Sequence, residues 1–304
     1  MELLPNLINK LNDLFKIKEL DKDPGFSRFI PMVYDPIGFD WKNAFEPDFA
    51  ERFNGLMIRG SEKVRTIHLA VFPTDEVLET FIDDAQSGDL LFMHHPLFME
   101  CGDPRGDWGR GFLPIRPDLL DQMKSKGLSV YTCHAPLDYN KQISTSLAIA
   151  EQLEAESLEP FVPYGNGYAG IICKMKPTTT SELMSRLEAI FEIPYVDFEG
   201  KAANHIDKIA IVAGCGDSVT DMKTAEEKGV QAYITGEIHC HIDNDYGRRK
   251  FQKIMDYAAH TTMSLIGVSH AASEFLVMRT QMYDWFKDNF DVEIRLIPQN
   301  QWWR

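Results

Sequence analysis

Apolar residues at Leu3, Leu4, Leu7, Ile8, Leu11, Leu14 and Phe15 recur three and four apart, so the chain opens on an amphipathic helix. A Pro-, Gly- and aromatic-rich stretch follows through Asn54-Gly55 and reads as irregular. From there short apolar runs alternate with amphipathic ones. Residues 64–72 read as a strand, and Thr74-Asp75 caps a helix reaching about Gln86. Residues 89–94 form a short apolar strand with a polar end; 116–126 are helix, 128–134 strand and 143–153 helix. A break rich in Pro, Gly and Tyr spans 159–170.

The second half repeats the alternation. Strands are read at 168–174, 209–213, 232–235, 264–268 and 292–297, and helices at 180–191, 219–228, 249–260 and 272–288. Such alternation implies an α/β fold, with two α/β domains of mostly parallel or mixed sheets covered by helices. The expected division is a helical and irregular lead-in over 1–55, a first α/β domain over 56–158 and a second over 159–304. The halves share a layout but no residue-level repeat.

Composition narrows the class of partner. With 44% hydrophobic and 25% charged residues the chain is an ordinary globular protein. Its 46 acidic and 31 basic side chains leave a net charge of −15, which disfavours a long nucleic acid as partner. Arg248-Arg249-Lys250 is the one basic cluster and reads as the exposed start of a helix. No apolar run approaches the ~20 residues of a membrane span, and an early Glu2 and Pro5 stand where a secretory leader carries positive charge. The five cysteines are spread without a CxxC pair, as suits reduced thiols in the cytoplasm.

Chemistry concentrates at strand ends. Six of the nine histidines (94, 95, 134, 239, 241 and 270) lie in four such segments, FMHHPLF, TCHAPLD, TGEIHCH and GVSHAASE. Ligands of open α/β sheets bind beyond the carboxyl ends of strands. Pro96 keeps His94-His95 extended, so the two rings point apart and each could serve one of two neighbouring ions. The alternative is one packed and one exposed ring. Pro136 makes His134-x-x-x-Asp138 a loop, where Asp138 is either a hard metal ligand or a cap. His270-x-x-x-Glu274 opens the last helix with both side chains on one face, as a metal pair or as an ion pair.

Together His94, His95, Asp138, His270 and Glu274 offer three imidazoles and two carboxylates. Mixed nitrogen and oxygen donors suit Zn²⁺, Fe²⁺ or Mn²⁺, and without thiolates a closed structural zinc is disfavoured. Five side chains cannot saturate two ions, so water completes the shells, as in a two-metal hydrolytic site. A ligating imidazole needs its other nitrogen held. His134, Glu237, His239 and His241 sit in segments suited to that, or to acid–base work. Gly214-Cys215-Gly216 reads as a tight turn before a capped helix, and Trp302-Trp303 as an oligomer contact.

The ordered motifs HHPLF, HxxxD, TGE-I-x-x-H and HAASE resemble the dinuclear-metal-centre family of Ngg-interacting-factor-three-like proteins, whose members often carry the label GTP cyclohydrolase type I, second type. The resemblance covers about Asn54 to Ile297. It implies metal ligands from both α/β halves meeting in the cleft between them, and a ring-shaped homohexamer. Position by position it implies His94, His95 and Asp138 from the first half and His270 and Glu274 from the second, and it favours His241 over His239 as the further histidine. HAPLD, Ser269 in place of a usual Gly, and Ala271 in place of a common aromatic depart from the pattern without touching those five residues.

The expectation is therefore a cytoplasmic hydrolase with two divalent ions per chain, catalytic work falling to Glu274, His134 and His241, and a small substrate such as a nucleotide. A metal chaperone or insertase, or a metal-organised scaffold, is the alternative.

Overall fold

A computed structural model describes residues 1–303. Two mixed sheets carry the architecture. The first runs in the order Glu293–Leu296, Thr66–Ala70, Leu90–Met93, Ser129–Thr132, Gly55–Ile58, and only the last strand is antiparallel to its neighbour. The second runs Asp197–Gly200, Ser264–Gly267, Ala232–Thr235, Ile206–Val212, Gly167–Thr178, Glu156–Tyr164, with its middle three strands parallel. Every residue of Leu90–Met93 and of Ala232–Thr235 is buried. Helix-covered parallel strands are apolar on both faces, which is why these runs do not alternate.

Register decides where the site forms. Ala70, Met93 and Thr132 stand side by side, so the chain leaves the first sheet at one level towards His94 and His134. Val212, Thr235 and Gly267 are likewise aligned, and Gly214, Glu237 and His270 follow at one edge of the second sheet. The helix His270–Val277 continues through a π-turn at Met278–Met282 into Tyr283–Asn289, and the chain then adds Glu293–Leu296 to the first sheet beside Thr66–Ala70. Leu276, Val277, Met282 and Phe286 from this run share one buried core with Leu69 and Phe92 of the first sheet and Ile234 and Ile266 of the second. That common core fixes the two strand-end edges relative to each other.

Three local readings are corrected. The break at 159–170 is a hairpin, Glu156–Tyr164 with Gly167–Thr178. Pro160 and Pro163 are tolerated because their strand is at the sheet edge. The stretch read as irregular holds the helices Phe26–Tyr34, Trp41–Ala44 and Pro47–Arg52, whose Phe26, Ile30, Tyr34, Trp41 and Phe49 are buried in a core with Ala70 and Leu91. Residues 135–138 are one helical turn rather than a loop, since Pro136 occupies the first turn, where a missing N–H costs nothing. Trp303 stacks on Tyr195 at 5.3 Å, and Trp302 packs on Phe275. Among the described residues no helix is long and apolar enough to cross a membrane.

Candidate metal centre

The side chains beyond the two strand-end edges meet in a buried cluster. Glu274 lies at its middle: Oε2 is 2.8 Å from His95 Nε2, while Oε1 is 3.1 Å from His270 Nε2 and 3.5 Å from His94 Nε2. Asp138 Oδ1 lies 3.4 Å from His94 Nε2 and accepts a hydrogen bond from the Thr145 hydroxyl. All five residues expected as ligands are thus brought together. His94 and His95 do point to different oxygens of one carboxylate, although their ring centres are only 4.6 Å apart.

Electrostatics shows what the cluster needs. Burial alone would lower His94 and His270, but Glu274 next to both of them raises each, His270 up to about 10. Burial pushes Glu274 up, yet the surrounding imidazoles, His270 foremost, hold it well below the usual carboxylate range. His95 is dominated by burial and falls well below its ordinary value. Buried carboxylates here demand positive charge, which protons on imidazole supply when no cation does. Among the described residues His94 Nε2 is buried without a hydrogen bond, while His94 Nδ1 bonds the Cys133 carbonyl at 2.8 Å. A ring tethered through one nitrogen and open at the other, facing two carboxylates, fits a metal ligand. The donor set fits a pair of divalent ions.

The further candidates separate. Glu237 Oε1 lies 3.6 Å from His270 Nδ1, on the side of the ring away from Glu274, so it can orient that ring. Cys101, Glu237 and His270 also gather their ligand atoms together, as do His95, His270 and Glu274, and His94, His95 and His134. His134 reaches Asp138 Oδ2 at 3.9 Å, so the one-turn helix restores the i,i+4 proximity that the loop reading denied. His241 is not brought into these groups; its ring stacks on Trp108 at 4.1 Å. His239 instead meets Asp197 at 3.3 Å, in a separate group with Glu199.

That separate group gives a pH-dependent expectation. Burial, first of all, pushes Asp197 up to about 6. A carboxyl raised above its unfolded value of about 4 penalises folding once it is ionised. Asp197→Asn is therefore expected to stabilise the fold by roughly 1–3 kcal/mol at pH 7.5 and to make little difference near pH 4. Urea titrations at both pH values check it.

Two backbone features shape the centre. Ser269, just before His270, adopts φ 76° and ψ 138°, a region that favours Gly; its hydroxyl caps the helix at Ala272 N and donates to the Trp302 carbonyl. Ser269→Gly relieves the backbone while losing both bonds, and Ser269→Ala loses the bonds without relief. Thermal melts are expected to place the Gly variant about 1 kcal/mol above the Ala variant. Gly214, φ +68°, lies against the Glu274 carboxylate.

Several residues at the centre carry little or no signal in the sequence. Asp23, on the lead-in, bonds His134; Phe72 packs on His95 and His270 with ring centres 4.4 and 5.1 Å away; Thr145 holds Asp138. Only the turn signature Asp23-Pro24-Gly25 could have drawn attention to the first.

An α/β fold with imidazoles and carboxylates gathered at facing strand ends defines a candidate metal-binding protein. Residues 42–301 match the model of the family described as Duf34/NIF3 (NGG1p interacting factor 3), and the chain belongs to that family. A relative from Archaeoglobus fulgidus, named GTP cyclohydrolase 1 type 2 homolog, is 30% identical over 191 residues, 60% of this chain and 69% of its own. One of the same name from Pyrococcus horikoshii is 28% identical over 240 residues, 75% of this chain and 82% of its own. The fold is shared with the crystal structure of TTHA1606 from Thermus thermophilus, at TM-score 0.65 and 16% identity over 99% of each chain. It is shared too with a Bacillus cereus protein related to NIF3, at TM-score 0.59 and 13% identity over 93% of this chain and 98% of that one.

Proposed function

We propose that the chain is a dinuclear, divalent-metal-dependent hydrolase of a small phosphorylated or cyclic compound, a nucleotide being the first candidate. The observation that carries this is the convergence of His94, His95, Asp138, His270 and Glu274 on one buried point. These residues would hold two ions, Zn²⁺, Fe²⁺ or Mn²⁺. When bound, such ions polarise a substrate oxygen and ionise water near neutral pH. Glu274 turns one oxygen to His95 and the other to His270, and would help to hold the ions. The Cys133 carbonyl fixes the ring of His94 by a hydrogen bond, and Glu237 Oε1 faces His270 Nδ1 at 3.6 Å.

A cavity of about 910 Å³ adjoins the centre and has Asp138 in its wall, which supports a small-molecule substrate. Lys16 and Lys141 also line it, next to the apolar Leu14 and Leu147 and the ring of Tyr168. Asp13 and Glu159 line it as well and balance the two lysines, so an anionic ligand would be drawn by the bound ions rather than by the cavity wall, despite the net charge of −15. The relatives' name makes opening of the GTP ring the first reaction to test. A cytoplasmic homohexamer belongs to the same proposal.

The test is elemental analysis of the purified and reconstituted protein, followed by a nucleotide and phosphoester screen with the metal found. The expected result is two equivalents per chain and a turnover that chelation abolishes and metal restores. Less than one equivalent overturns the dinuclear reading. Two equivalents without turnover of any compound overturns the hydrolase.

A further inference from the structure

We infer that the lead-in completes the metal centre: Asp23 is a positioning residue that directs His134 Nε2 into the cluster as a sixth protein donor. The inference rests on the reading that this cluster holds metal and is independent of hydrolysis. Asp23 lies outside the residues 42–301 that match the family, so it belongs to the part of the chain that the family pattern does not describe.

Asp23 is 1% exposed, and its Oδ1 accepts from the backbone N–H groups of Gly25 at 2.9 Å and Phe26 at 2.8 Å. Its Oδ2 accepts from His134 Nδ1 at 2.8 Å, Ala135 N at 3.2 Å and Asn54 Nδ2 at 3.3 Å. A carboxylate accepting this many bonds stays ionised and can only accept. His134 Nδ1 must therefore carry the hydrogen, and in the neutral ring the lone pair is left on Nε2. Phe26, three residues after Asp23 on the lead-in, packs edge-to-face with the His134 ring, centres 4.6 Å apart.

His134 then has the same construction as the expected ligands. His94 Nδ1 is tied to the Cys133 carbonyl and His270 Nδ1 faces Glu237, each leaving Nε2 towards the carboxylates of the cluster. His134 Nδ1 is tied to Asp23 and its Nε2 faces Asp138 Oδ2 at 3.9 Å. A ring nitrogen of His134 also lies within 4.8 Å of ring nitrogens of His94 and His95. A carboxylate-held imidazole is the usual form of a metal-binding histidine, and loss of such a partner costs 10- to 100-fold in affinity.

The test titrates Co²⁺ into metal-free wild type, Asp23→Asn, His134→Ala and the double variant, reading affinity by chelator competition and ligand field by visible absorption. Asp23→Asn keeps an oxygen for the Gly25 and Phe26 amides, and circular dichroism confirms that each variant is folded. One of the two Co²⁺ equivalents is expected to weaken about 10- to 100-fold in each single variant. The double variant should be no weaker than His134→Ala alone, because Asp23 acts through that ring, and the visible bands should change in the His134→Ala protein. Wild-type affinity and bands in folded His134→Ala overturn the inference. So does weakening by Asp23→Asn that adds fully to that of His134→Ala. No substrate is used, so a chain that binds Co²⁺ as described but hydrolyses nothing refutes the proposed activity and leaves this inference standing.

Discussion

Glu274→Gln is expected to lower bound metal from two equivalents to below one per chain and to raise the dissociation constant by more than about 100-fold. The carboxylate is the common neighbour of three imidazoles, at 2.8 Å from His95, 3.1 Å from His270 and 3.5 Å from His94. An amide supplies one neutral oxygen where two charged ones are needed, and its nitrogen cannot accept. The metal-free protein should register the loss too. His270 is raised to about 10 and His94 is raised as well, chiefly by Glu274 acting against burial. A raised imidazole contributes stability that is complete below its unfolded value near 6.5 and disappears as pH climbs through the folded value. The Gln variant should therefore be most destabilised at pH 6, by roughly 3–5 kcal/mol, with the difference from wild type shrinking towards pH 10. Elemental analysis and denaturant melts across that range read both effects.

The strand-end histidines were legible because buried parallel strands are unbroken apolar runs. When LLFM gives way to His94-His95, or SLIG to the segment holding His270, polarity changes at one point and marks the sheet edge. The i,i+4 spacing of His270 and Glu274 carried its own geometry, confirmed at 3.1 Å. Pro136 misled, since the rule that Pro breaks helices does not hold in the first turn, and His134 and Asp138 are neighbours across that turn. The placement of His241 had no local geometry behind it, and its ring rests on Trp108. Asp23 stands out only through the turn signature Asp23-Pro24-Gly25, which does not link it to His134. It meets His134 across 111 positions, and what brings them together is the burial of Phe26, Ile30 and Tyr34 in a core with Leu91 and Met93. No period or motif encodes such a contact.

The same fold explains why the two halves of the centre keep their distance from one another. His94, His95, His134 and Asp138 follow strands of the first sheet, whereas His270 and Glu274 ride on a helix that leaves the second sheet and returns the chain to the first. One core spans both sheets through Leu276, Met282 and Phe286. Donors held by such a core lose little entropy when an ion binds.

Gly214 turns this rigidity into a second strong expectation. A Cβ added there would lie 2.3 Å from Glu274 Oε1 and 3.1 Å from His270 Nε2, and the residue also needs φ +68°. Glu274 cannot swing aside cheaply, because its other oxygen is bonded to His95 and its helix is buried throughout. Gly214→Ala should therefore reduce metal affinity by about 10- to 100-fold, as expected when a ligand is displaced. Left-handed strain would contribute only about 1 kcal/mol to a loss of stability. Gly229→Ala separates the two causes. Gly229 has φ +76°, yet an added Cβ meets nothing within 4 Å. It carries the strain without the contact, so it should match Gly214→Ala in the backbone penalty seen in melts while binding metal as wild type does. Equal metal affinity in the two variants would show that Gly214 is kept for its backbone angle alone and that the Glu274 carboxylate is freer than the geometry indicates.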